Sequence, residues 1–172
     1  TIGEVNNHGI QVHSEMGASN VTIKNVRFYN IKEQMIKGSG SQSEVYSENC
    51  IVEDCLFEFT SGEAYQYYTG GIDVHKGLNW IVRNNTFKNI QRKTGELTEG
   101  AIHFWGNSKG TVVENNIIIN CDRGIVFGLD NSNHYDGIIK NNFIHTTRDV
   151  GIYLCNARDA KVYNNTVYSY PS

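Results

Sequence analysis

Ile81-Val82-Arg83-Asn84-Asn85, Val112-Val113-Glu114-Asn115-Asn116, Ile138-Ile139-Lys140-Asn141-Asn142 and Lys161-Val162-Tyr163-Asn164-Asn165 are four copies of one short text. Thr22-Ile23-Lys24-Asn25-Val26 and Ile51-Val52-Glu53-Asp54-Cys55 fit the same frame. The frame recurs at residues 25, 54, 84, 115, 141 and 164, at intervals of 29, 30, 31, 26 and 23. A period in this range marks a stacked-repeat architecture.

Each repeat carries a second apolar run, typified by Gly71-Ile72-Asp73-Val74-His75. Apolar and polar residues alternate in it, which is the period of a strand and not of a helix. It recurs as Gly9-Ile10-Gln11-Val12-His13, Gln34-Met35-Ile36-Lys37, Ala101-Ile102-His103-Phe104-Trp105, Gly124-Ile125-Val126-Phe127 and Gly151-Ile152-Tyr153-Leu154. The spacers are too short for a crossover helix. A coil of parallel strands stacked rung on rung needs the same bend in every turn, and Asn suits it by tolerating left-handed backbone angles. Stacked Asn side chains can also bond to the rungs above and below.

The Asn-Asn rung motif and the Gly-Ile-x-Val strand, over nearly all of residues 5–168, resemble the right-handed β-helix repeat family that includes pectate, alginate and chondroitin lyases and polygalacturonases. The text from Gly71 through Leu129 is also similar to bacterial β-helix proteins without an assigned substrate. The resemblance implies an all-β, single-stranded right-handed parallel β-helix of about six rungs. Neither end offers an amphipathic capping helix, and Thr1 is not a natural start. Residues 1–172 are therefore expected to form one domain lacking its terminal caps, as a trimmed chain or a segment of a longer one. End rungs of this kind invite association or capping by another chain.

The single proline and 17 glycines fit many tight turns, and a net charge of −3 offers no basic stripe for nucleic acid. No apolar run is long enough for a transmembrane helix, so no membrane insertion is expected. No signal peptide is expected within these residues; the resemblance alone suggests an extracellular or periplasmic setting. Cys50, Cys55, Cys121 and Cys155 have no metal-binding spacing. Cys55 falls in the inward column of the second Asn of each later pair and reads as a buried thiol. The sequons beginning at Asn20, Asn84 and Asn164 read as turn chemistry.

Alternation places Ile10, Ile72, Ile102, Ile125 and Ile152 inward, with Val12, Ile36, Val74, Phe104, Phe127 and Leu154. One outward column then reads Gln11, Met35, Asp73, His103, Val126, Tyr153, and the other His13, Lys37, His75, Trp105, Gly128, Cys155. Rungs lie about 4.8 Å apart and alternate residues on a strand about 6.6 Å. His13, Lys37, Asp73, His75, His103 and Trp105 should thus share one patch roughly 15 Å across, provided the second rung does not slip in register. A merely solvated face would favour Lys, Glu and Thr over His and Trp; an exposed Trp beside His and Asp reads as a binding site. Tyr65, Tyr67 and Tyr68, in a long loop, could wall the same groove, or pack on the coil. Glu99, Asp122 and Asp149 each precede an inward Ile by three residues and should stack on consecutive rungs, where turn capping is favoured over a calcium site.

Resemblance to β-helix lyases implies β-elimination on an acidic polysaccharide. That reaction needs a base for the C5 proton, which Lys37 or His103 would supply. Arg123, or a Ca2+ held by Asp73, would neutralise the substrate carboxylate, and His75 or a tyrosine would protonate the leaving oxygen. His13, Trp105 and the three tyrosines would bind the poly- or oligosaccharide. No residue is assigned as a metal ligand, and Ca2+ is the one cofactor kept open. The readings from other classes are a non-catalytic carbohydrate-binding or structural module and, lower, a glycoside hydrolase, which needs a carboxylate pair that the outward columns do not supply.

Overall fold

The computed structural model describes residues 1–40 and 44–169. The chain winds into a solenoid walled by four sheets whose strand pairings are parallel. A front sheet holds Ile10–His13, Gln34–Ser39, Gly70–His75, Gly100–Trp105, Arg123–Phe127 and Ile152–Leu154. A narrow corner sheet of two-residue strands runs from Ser47–Glu48 to Ala157–Arg158. A base sheet follows from Thr22–Lys24 to Lys161–Tyr163, and a back sheet from Ile2–Gly3 to Thr166–Ser169. One coil therefore has up to four strands where the sequence shows two apolar runs, because the two-residue strands are too short to declare a period. The one helical element described is a single 3₁₀ turn, Ser14–Met16.

The repeated Asn pairs divide two tasks. The first member, with Asn25 and Asp54 as its earlier counterparts, sits at φ between 53° and 56° in all six coils, the left-handed region where Asn and Asp are least strained. The second member points inward and forms a continuous ladder. Asn85 Nδ2 donates to Asn116 Oδ1 at 3.1 Å, Asn116 Nδ2 to Asn142 Oδ1 at 3.0 Å and Asn142 Nδ2 to Asn165 Oδ1 at 2.9 Å. Each also donates to a backbone carbonyl of the preceding coil, as Asn116 does to Val82 at 2.9 Å. At the head of the ladder the Cys55 amide donates to Asn85 Oδ1 at 2.9 Å, and Cys55 is buried as a free thiol. Two of the three sequons, at Asn84 and Asn164, start on these bends, and Asn20 occupies another left-handed corner at φ 58°.

Inside the wall, like stacks on like. Phe28, Phe57 and Phe87 lie face to face with centroids 4.8 and 4.5 Å apart, and Ile118 and Ile144 continue their column. Burial of each such side chain stabilises by about 1.5–3 kcal/mol, collected through contacts with neighbouring coils only. In the last coil the inward positions Leu154, Val162 and Val167 face solvent.

The second rung differs from the alternation reading. Ile36 pairs with Ile10 and Ile72, not with Val12 and Val74, so the strand is offset by two residues. Met35 and Ile36 both lie fully buried, which alternation does not allow for. Lys37 consequently stands beside Gln11 and Asp73, and Ser39 takes the expected place of Lys37 beside His13. Lys37 remains on the outer face. The strand runs on to Ser39, and residues 41–43 beyond it lie outside the described residues.

Candidate functional site

The outer face of the front sheet brings Lys37, Asp73, His75, His103 and Trp105 together, as the outward columns imply. The offset improves the fit, because it sets the Lys37 ammonium 3.2 Å from Asp73 Oδ1. Trp105 Nε1 donates to the same oxygen at 2.9 Å, and His75 Nε2 lies 3.5 Å from it. The His103 ring stacks on Trp105 with centroids 5.2 Å apart, and His75 meets Trp105 edge to face at 4.2 Å. His13 joins the margin through Ser39, whose Oγ lies 3.1 Å from His13 Nδ1.

The patch is closed where the sequence reading expected an open surface. Asp73 is 2% exposed, His103 1% and Lys37 7%. Burial pushes the Asp73 carboxyl up, but the neighbouring His103, the Lys37 ammonium, His75 and the bond from Trp105 outweigh it and hold the group below the usual carboxylate range. Asp73 is thus a carboxylate with its partners already in place. His75 is driven the other way. Burial, reinforced by Lys37 and only partly opposed by Asp73, lowers it to about 4. Lys37 has donors only, so at 3.3 Å His75 Nε2 accepts from it and the imidazole proton sits on Nδ1.

These contacts bear on the expected catalytic roles. Lys37 is engaged by Asp73 and His75, and His103 is sealed beneath Trp105, so neither presents a free base to solvent. Arg123 pairs with the start of the neighbouring strand at Gly100, two rungs and five residues away from His75. That is roughly 15–20 Å in a sheet of standard dimensions. The leaving-group acid and the carboxylate neutraliser act on one sugar linkage, so Arg123 and His75 cannot serve one elimination together.

Arg123 instead edges a cavity of about 230 Å³ on the same face, lined with Leu129, Asp149, Val150 and Tyr153. Its Nε donates to Asp149 Oδ2 at 2.6 Å. Among the three stacked acids, Asp122 proves to be a turn cap: fully buried, its Oδ2 accepts from the amides of Arg92 and Thr98 at 3.0 and 2.9 Å and ties down the 91–99 loop. Arg148 fastens the same loop from outside, donating to the carbonyls of Arg92 and Gly95.

The tyrosine loop is split between the two readings. Tyr65 packs edge-on against Phe59 at 5.5 Å, while Tyr65 and Tyr67 are each 52% exposed. The Tyr68 ring lies 6.0 Å from the Lys37 ammonium, and the Tyr68 carbonyl accepts from Gln34 Nε2, so this end of the loop rests on the patch.

One member of the cluster escaped the sequence reading. Glu99, placed there among the capping acids, turns its Oε2 to within 3.7 Å of His103 Nδ1. Ligand atoms of Asp73, Glu99 and His103 all lie within 4.8 Å of one another, and this trio is the group among the described residues with donors placed for a metal ion. Glu99 stands four residues before His103, a spacing that brings two side chains together on one strand only where the strand entry bends. The bend formed by two consecutive inward positions, Ala101 and Ile102, supplies that and leaves no mark in an alternation pattern.

The family model described as "Right handed beta helix region" matches residues 57–171, more than half of the chain. The chain is also similar to the tail spike protein of Salmonella phage epsilon15, at 36% identity over 75 residues, which is 39% of this chain and 7% of that relative. The chain thus spans a small fraction of the relative that it matches. No solved structure matches.

Proposed function

The chain belongs to the right-handed β-helix family, and on that footing we propose that the outer face of its front sheet is a binding surface for an acidic oligosaccharide. The observation that carries this is the cavity beside Arg123. It offers a guanidinium for a sugar carboxylate, Tyr153 and Leu129 for the apolar faces of the ring, and Asp149 for hydroxyls. The Trp105 cluster and the Tyr67–Tyr68 loop lie further along the same face, at a distance suited to later units of an extended chain. Similarity to a phage tail spike protein supports the reading. It suits an extracellular or periplasmic setting, and it asks for no free base.

A second reading, β-elimination, draws on one observation: a neutral His75 held beside a cationic Lys37. The engagement of Nε2 by Lys37 and the distance to Arg123 weigh against it. The hydrolase reading ranks lower, since Asp73 accepts from Trp105 and pairs with Lys37 and so is not free as acid or nucleophile.

Calorimetric titration with uronate oligosaccharides from alginate, pectate, chondroitin and heparin tests the proposal, with absorbance near 235 nm followed in the same samples. Binding of one of these without a rise at 235 nm, weakened at least tenfold by Arg123→Gln, is the expected result. A rise at 235 nm would replace it with the elimination reading. Absence of binding to every member of the panel would remove the acidic-saccharide assignment.

A further inference from the structure

The environment of His103 is the least explained part of this face. Its Nε2 lies 3.3 Å from the carbonyl oxygen of Gly128. A carbonyl only accepts, so Nε2 carries a proton, and in the neutral ring Nδ1 presents a lone pair. That lone pair is completely buried and has no hydrogen-bond partner among the described residues. It is aimed at the Glu99 carboxylate across 3.7 Å, too long for a hydrogen bond, with Asp73 completing a triangle. Three electron-pair donors thus converge within 4.8 Å of one another. Lys37 offsets one of the two carboxylate charges and is bonded to Asp73 and His75.

We propose that Asp73, Glu99 and His103 form a binding site for a first-row divalent transition-metal cation, with Zn2+ as the best match. Two bonds of about 2.1 Å meeting near 120° span about 3.7 Å, the observed separation of His103 Nδ1 and Glu99 Oε2. All three ligand atoms lie within 4.8 Å of one another, and Glu99, whose side chain is 27% exposed, is the least constrained of the three and the one free to adjust to an ion. One imidazole nitrogen with two carboxylates favours zinc or manganese over calcium, which prefers an all-oxygen shell. The bond from His103 Nε2 to Gly128 is the outer contact that fixes the tautomer of a metal-binding histidine, and Trp105 performs the same service for Asp73. Three protein ligands leave a fourth position for water or for an oxygen of a bound molecule. This inference is independent of the saccharide reading, and its test contains no saccharide.

The protein is stripped with a chelator, dialysed and titrated with ZnCl2 by calorimetry, with Co2+ in parallel to read the visible absorption of a nitrogen- and oxygen-ligated ion. One Zn2+ per chain is expected. Glu99→Gln, a change at a half-buried position that leaves the wall intact, should weaken it at least thirtyfold. His103→Gln should do the same with loss of the Co2+ band, while His13→Gln, outside the triangle, leaves both unchanged. Circular dichroism of each variant separates lost binding from lost fold. Absence of stoichiometric Zn2+ binding would overturn the proposal, as would binding that survives Glu99→Gln in a folded protein.

Discussion

Trp105 and Asp73, on adjacent rungs, are joined by a 2.9 Å hydrogen bond from the indole nitrogen to a carboxylate that is almost wholly out of water. The same carboxylate oxygen holds the Lys37 ammonium, so three rungs are tied at one atom. Asp73→Asn would leave Lys37 buried without its counter-charge, and an unpaired buried charge costs roughly 3–5 kcal/mol. We expect a loss of that size in the free energy of urea unfolding. Adding Lys37→Met should recover much of it, and a double mutant as unstable as the sum of the two singles would contradict the pairing.

The Asn ladder predicts a gradient along the solenoid. Asn116 accepts from the amide and side chain of Asn85 and donates to Val82 and Asn142, all buried. Asn116→Ala strands several of these groups, each at about 1–3 kcal/mol, so a loss of about 3 kcal/mol or more is expected. Asn165, in the solvent-facing last coil, should cost no more than about 1 kcal/mol when changed to Ala, since water satisfies what it leaves. Equal losses at the two positions would refute the ladder as the source.

His134 supplies a pH dependence. Its ring stacks on Phe127 at 3.9 Å and its Nε2 lies 2.9 Å from Thr111 Oγ1. Burial above all, with His103 adding to it, lowers its pKa to about 3 from an ordinary value of 6.5. The unfolded chain therefore binds a proton that the folded chain refuses. Stability from this group is fully present above pH 6.5 and is lost as pH falls from there toward 3, by up to about 1.4 kcal/mol per unit. Urea midpoints at pH 7.5 and 5 should differ accordingly, and His134→Gln should reduce the difference, leaving the part that His75 contributes.

Saccharide binding at the Arg123 cavity should be salt-dependent, because a guanidinium that remains one-third exposed is screened. Raising ionic strength from about 0.05 to 0.5 M should weaken uronate binding several-fold and leave a neutral analogue unaffected. An equal effect on both sugars would place recognition away from Arg123.

Much of the fold was legible because two independent demands fall on neighbouring letters. The bend needs a residue at ease at positive φ, and the ladder needs an inward amide, so Asn84-Asn85 and its copies carry the coil in plain text. The second rung was misread because Met35 and Ile36 both face the core and Gly38 fills a place held elsewhere by Val74 and Phe104. The comparison of Gln34-Met35-Ile36 with Gly70-Gly71-Ile72 and Gly100-Ala101-Ile102 held the signal, since in each the Ile follows a second inward residue. The outer patch was legible as a face. Its depth was not, because alternation says which way a side chain leaves the sheet and not whether Trp105 will lie over His103 and shut out water. Glu99 was hidden for a related reason: its approach to His103 depends on a bend in the strand entry.

The long loops at 60–69 and 90–99 leave from the same corner, between back and front sheets, where the other coils cross in a few residues. That corner is a seam. Chain added there changes the rim of the front face without altering the period of any wall, because each coil is registered by its Asn corner and its own strand pairings. Relatives could therefore exchange ligand preference by growing or trimming this seam, while the barrel behind it is inherited unchanged.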